Sequence, residues 1–154
     1  MNGRRVPRAV RVVLAAAVAL AAAPAGAGVC WFQSVSGVAF GNYDVFSSAP
    51  TDSSGQVRVA CLLWGNLQVS LDRGSSPTFR PRTMRSGASV LQYNLYRDAA
   101  RSQVWGDGTE GTSTYEAQYG LIQAFTLNVY GRIPARQDAA VGSYQDTITV
   151  TINY

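Results

Sequence analysis

Along most of this chain apolar and polar residues alternate with a period of two, and beyond residue 27 no stretch sustains the 3.6-residue period of an amphipathic helix. Ile148, Val150, Ile152 and Tyr154 share one parity, with Thr147, Thr149, Thr151 and Asn153 on the other. Val57, Val59 and Cys61 alternate with Gln56, Arg58 and Ala60, and Leu67, Val69 and Leu71 with Asn66, Gln68 and Ser70. Leu91, Tyr93 and Leu95, then Phe125, Leu127 and Val129, repeat the pattern. Between these runs lie turn-forming clusters, such as Ala49-Pro50-Thr51-Asp52-Ser53-Ser54-Gly55 and Asp72-Arg73-Gly74-Ser75-Ser76-Pro77. Short strands with one apolar face at this spacing predict a single all-β domain, an antiparallel β-sandwich of six or seven strands. Gly37 is expected to bend or bulge the first strand, which carries Cys30, Phe32, Val38 and Phe40.

The amino terminus is of another kind. Arg4, Arg5, Arg8 and Arg11 precede or open an apolar run from Val12 to Ala23, which ends at Pro24-Ala25-Gly26-Ala27. A basic start, a short apolar core and an Ala-x-Ala end predict a secretory signal peptide over 1–27, cleaved after Ala27. The run is too short for a comfortable membrane-spanning helix, so no stable membrane insertion is expected. Cleavage removes four of the 13 Arg and leaves nine against nine acids, so the domain at 28–154 is formally neutral. Net charge then gives no reason to expect nucleic-acid binding. Export also governs the cysteines. Cys30 and Cys61 are the only two, and an oxidising compartment is expected to join them in a structural disulfide.

The chain has no His and no Lys. That excludes Ser-His-Asp and Cys-His nucleophile systems, His-ligated zinc, Schiff-base chemistry and the P-loop. A non-enzymatic protein with no cofactor and no metal is the expectation.

Several blocks in order carry a family resemblance: Gly37-Val38-Ala39-Phe40-Gly41-Asn42-Tyr43-Asp44 after Cys30, Val57-Arg58-Val59-Ala60-Cys61, Leu91-Gln92-Tyr93-Asn94-Leu95-Tyr96, Val104-Trp105-Gly106-Asp107-Gly108-Thr109, Tyr130-Gly131-Arg132-Ile133-Pro134 and the final run from Gly142 to Tyr154. Together they resemble the spore coat protein U domain, a family that includes spore coat proteins and subunits of archaic, Csu-type chaperone–usher pili. The resemblance implies an immunoglobulin-like sandwich lacking its final strand. A periplasmic chaperone would fill the gap first, and a strand of a neighbouring subunit would replace it after passage through an outer-membrane usher. It also implies a cell-surface location and a role in adhesion and biofilm formation.

The edge of the last strand, Ile148 to Tyr154, is expected to be left uncovered, and a Thr/Ile-rich bare edge is an aggregation hazard. Strand addition from another chain would satisfy it. By the resemblance, the acceptor groove lies between the first strand (Phe32, Val38, Phe40) and the last (Ile148, Val150, Ile152, Tyr154). After cleavage only Gly28 and Val29 precede Cys30. They reach roughly 7 Å, against about 17–20 Å for a five- or six-residue strand. The expectation is a subunit that accepts a strand and donates none, suited to a terminal or tip position. The alternative is a free-standing secreted sandwich that binds carbohydrate or surfaces through its loops.

Three further features have plain structural readings. Arg80-Pro81-Arg82-Thr83-Met84-Arg85 reads as a solvated connecting loop, with anion binding as the sharper alternative. Trp105 to Gly111 reads as a Gly-rich turn with Trp105 packed at its base rather than a calcium loop. Of the aromatics, Trp31, Trp64 and Tyr115 are candidates for exposure; if grouped at one end they would form an adhesive patch.

Overall fold

The computed structural model describes residues 10–18 and 28–154. Among them are ten strands: β1 (Val10–Val18), β2 (Val29–Ser36), β3 (Val38–Gly41), β4 (Thr51–Leu62), β5 (Gly65–Leu71), β6 (Arg82–Ser86), β7 (Ser89–Tyr96), β8 (Tyr115–Tyr119), β9 (Ile122–Ile133) and β10 (Gln145–Asn153). The fold is all-β, as the alternation predicts. Pairing runs β2-β4-β9-β7-β6-β10-β1-β3, with β5 beside β10 and β8 beside β5.

β4 and β9 form the long antiparallel spine of one layer, from Thr51 opposite Ile133 to Leu62 opposite Ile122. Strict alternation over so many rungs fixes the register, because a slip by one residue would turn Val57, Val59 and Cys61 outward. These three are buried, and the inward residues of the other layer, Leu67, Val69, Leu71, Ile148, Val150 and Ile152, meet them in one core. Cys30 and Cys61 face each other on paired strands and form the expected disulfide.

The first strand changes layer at Gly37. β2 pairs with β4, whereas β3 pairs with β1. A Cβ on Gly37 would collide with the carbonyl oxygen of Val12, so only glycine lets the chain cross over here. Gly131 on β9 instead permits close packing, since a Cβ there would strike the Phe40 ring and Val38 of β3.

The strand count exceeds the six or seven expected, because β3 separates from β2, β1 joins the sheet, and short segments read as connectors pair. The sharpest correction concerns residues 80–85, read as a solvated loop. Residues 82–86 form β6, and Arg82 is fully buried beside the equally buried Met84. Its guanidinium donates to the carbonyls of Asp72 (Nη2, 2.7 Å) and Trp105 (Nη2, 2.7 Å) and to Asn94 Oδ1 (Nη1, 3.0 Å). Burial pulls its pKa down, and the nearby Tyr93, Asp72 and Asp146 oppose that. Trp105 lies at the base of its turn, buried, with Nε1 donating to the Val69 carbonyl at 3.0 Å. In that turn Asp107 accepts from Thr109, and Glu110 pairs with Arg73 at 2.8 Å.

Candidate strand-accepting groove

β1 occupies the position that the sequence leaves open beside the last strand. It runs parallel to β10, from Arg11 opposite Gln145 to Val18 opposite Ile152. On its other side it is antiparallel to β3, with Val10 opposite Gly41, Arg11 opposite Ala39 and Val12 opposite Val38. Inward parity puts Val12 and Leu14 into the core, 1% and 8% exposed; Val13 faces out, and towards the end of the strand both Ala16 and Ala17 are exposed. The edge is thus closed from within by β1, whose residues fall inside the segment read as a leader. The cleavage position after Ala27 lies outside the described residues.

Of the residues assigned to the groove, the structure brings five together. Val38 and Phe40 on β3 and Ile148, Val150 and Ile152 on β10 are all buried, in the two strands that flank β1. Phe32 and Tyr154 are half-buried at the margin: Phe32 lies on β2 in the other layer, and Tyr154 follows the end of β10. Alternation reveals which side of a strand is apolar, but the change of layer at Gly37 depends on the rest of the fold.

A polar knot that the alternation conceals anchors the start of β10. Asp146 is buried and accepts hydrogen bonds from Tyr93 Oη (2.6 Å), the Ser75 amide (3.0 Å) and its neighbour's amide at Thr147 (3.0 Å). Burial, together with the Asp146 carboxylate, pushes the Tyr93 phenol well up, so it stays a neutral donor. Position 146 is directly opposite Val12. The groove floor at this end is held by bonds between strands distant in sequence.

The end of the molecule where β10 finishes is apolar and exposed. Leu63 and Trp64 form the two-residue turn between β4 and β5, with φ of 67° and 43°. Such turns normally take Asn-Gly, because both residues must be left-handed. Two bulky apolar residues here are strained as well as solvent-facing; Trp64 is 65% exposed. Their amides donate to the carbonyls of Leu121 (3.0 Å) and Gly120 (3.1 Å), clipping this turn to the one between β8 and β9. Leu121 and Ile122, the latter 78% exposed, extend the apolar surface, as do Val29 and Trp31 on β2. Trp31 and Trp64 are therefore exposed at one end, whereas Tyr115 is half-buried, edge-on to Phe125 with ring centroids 6.2 Å apart.

These features define an all-β protein in which one strand of its own, β1, is lodged between β3 and β10. The chain belongs to the Spore Coat Protein U domain family, whose profile matches residues 16–151. It is 34% identical over 128 residues to Protein U of Myxococcus xanthus, covering 75% of this chain and 70% of that protein. Its fold is similar, with a TM-score of 0.52 and 24% identity over 83% of this chain, to a chain in the crystal structure of the CsuC–CsuE chaperone–tip adhesion subunit pre-assembly complex from archaic chaperone-usher Csu pili of Acinetobacter baumannii. This chain spans 40% of the length of that one. The family is thus that of the spore coat protein U domain, and the fold is shared with a chain of a chaperone–subunit complex.

Proposed function

We propose that the exported domain, residues 28–154, is a structural subunit of a surface fibre or coat that assembles by accepting a strand into the groove between β3 and β10. The observation that carries this reading is the position of β1, paired on both sides, with Val12 and Leu14 filling the core. Without residues 1–27, β3 and β10 each present a bare edge, and Val38, Phe40, Ile148, Val150 and Ile152 lose their cover. Such a groove suits a periplasmic chaperone first and a neighbouring subunit after passage through an outer-membrane usher. Cleavage after Ala27 leaves only Gly28 and Val29 before Cys30, and β2 begins at Val29, so the domain accepts a strand and has none to give. That fits a terminal or tip position.

The same reading includes adhesion in support of biofilm formation. Its support is the apolar end built by Val29, Trp31, Leu63, Trp64, Leu121 and Ile122. An exposed cluster carried on a strained turn is costly for a monomer in water and useful for holding to an apolar surface.

One observation favours a second reading, a free-standing secreted binding module: β1 seals the edge of β10 from within the same chain. Co-expression of residues 28–154 with a periplasmic chaperone of the archaic chaperone–usher type separates the two. A strand acceptor emerges as a stoichiometric complex and is oligomeric or insoluble alone. A soluble monomer that ignores the chaperone would refute strand acceptance.

A further inference from the structure

On the outer face of β10, β5 and β8, one rung below the apolar end, lies an open cleft of about 680 Å3 lined by Asn66, Gln68, Glu116, Gln118, Asn153 and Tyr154, together with Leu67 and Ala117. We propose that this cleft is a binding site for a neutral oligosaccharide. Its volume is in the range of about 300–1,000 Å3 usual for small-ligand sites.

Strand register makes the arrangement orderly. Asn153 is opposite Gln68 and Gln68 opposite Glu116, a straight row across three strands; Asn66 and Gln118 face each other on the next rung of the same face. Hydrogen bonds fix the row. Asn153 Nδ2 donates to Gln68 Oε1 at 3.1 Å, and Gln68 Nε2 donates to Glu116 Oε1 at 3.2 Å. Thr114 Oγ1 donates to the same Glu116 oxygen at 3.1 Å. Gln68 is thus oriented from both ends.

What is left over matches sugar hydroxyls. Asn153 keeps its Oδ1 and one N–H side by side, so one hydroxyl of a vicinal diol donates to it while the next accepts from it. Gln68 keeps a second N–H and Glu116 its Oε2. Among the described residues, the side-chain amides of Asn66 and Gln118 form no hydrogen bond within the protein. Tyr154, of the inward parity, packs its side chain against the core and borders the cleft at the end of β10. No cationic side chain lines the cleft, which disfavours phosphate or acidic glycan, and Glu116 is its one acidic side chain, too few for a hard metal ion.

Strand propensity points the same way. After Gln145 the outward positions of β10 are Thr147, Thr149 and Thr151, good strand residues, until Asn153 enters the cleft. Asn is a poor strand former, yet it stands at both 66 and 153, where Thr would serve the sheet better.

The test is calorimetric titration of the full chain with maltotetraose, cellotetraose, xylotetraose and N-acetylated chitotetraose, with polygalacturonate as the acidic comparison. Saturable binding of at least one neutral sugar is expected. Asn66→Ala, Gln68→Ala and Gln118→Ala should each weaken it about five- to tenfold, the loss of one or two hydrogen bonds, while the exposed Arg85→Ala on β6 should not. All three sites are exposed or half-exposed, so circular dichroism spectra should stay unchanged and tie the loss to the cleft. No saturation at millimolar sugar, a preference for polygalacturonate, or binding indifferent to the three variants would each overturn the assignment.

Discussion

Removing β1 should cost the domain a large share of its stability, and returning it as a separate peptide should restore what was lost. Val12 and Leu14 are almost wholly buried. At about 1.5–3 kcal/mol for each such side chain, they account for roughly 3–6 kcal/mol before any backbone pairing with β3 and β10 is counted. A domain of this size holds only about 5–15 kcal/mol in total. With an m-value of about 3 kcal/mol per M in urea, that loss lowers the midpoint by about 1–2 M or unfolds the protein outright. The assay is urea unfolding of residues 28–154, followed by tryptophan fluorescence, with and without a synthetic peptide of residues 10–18. The midpoint should rise with peptide concentration, as linkage requires of a ligand that binds only the folded state. A peptide with Val12→Ser and Leu14→Ser should have little effect. If residues 28–154 alone unfold cooperatively at the midpoint of the full chain and ignore the peptide, the groove is not an acceptor.

Three further outcomes follow from the core and the charges. Replacing both Cys30 and Cys61 by Ser opens a loop of sequence separation 31 and should lower the unfolding free energy by about 3–4 kcal/mol, read by urea titration; an unchanged midpoint would contradict it. Arg82→Ala leaves two buried carbonyls and Asn94 without their donor and should destabilise by about 3 kcal/mol or more, seen as a lowered thermal midpoint, whereas a neutral result would show that water replaces the guanidinium. Asp52, bonded to Arg132 at 2.7 and 2.8 Å and near Arg101, has its pKa lowered chiefly by the Arg132 hydrogen bond. A depressed carboxylate contributes its stability above its unfolded pKa of about 3.9 and loses it as pH falls through the lower folded value. Partial exposure limits this to about 1 kcal/mol or less. Asp52→Asn should therefore be less stable than the parent at pH 7 and converge with it in acid; a gap that persists at low pH would refute the pairing.

The strands with strict alternation were legible because both the register and the buried face are written locally: β4, β5, β7, β9 and β10 lie where Val57, Leu67, Leu91, Phe125 and Ile148 place them. The disulfide was legible for a different reason, two cysteines and an exported context. β6 was not legible, since nothing near Arg82 in the sequence announces the carbonyls of Asp72 and Trp105 that allow a guanidinium to be buried. Nor was β1, whose apolar run reads equally well as a leader. In the groove, the inward parity of Val38, Phe40 and the β10 residues could be read directly, but the separation of β3 from β2 could not. The row Asn153–Gln68–Glu116 has no signature in the sequence, because its members are aligned only by pairing across three strands.

The parallel register of β1 with β10, continuous from Arg11 to Val18, has a mechanical corollary. A tug along the length of whatever strand sits there is a shear load, shared by every rung at once, whereas a sideways tug would peel the rungs one after another. A joint of this geometry is strongest along the axis on which a filament hauls.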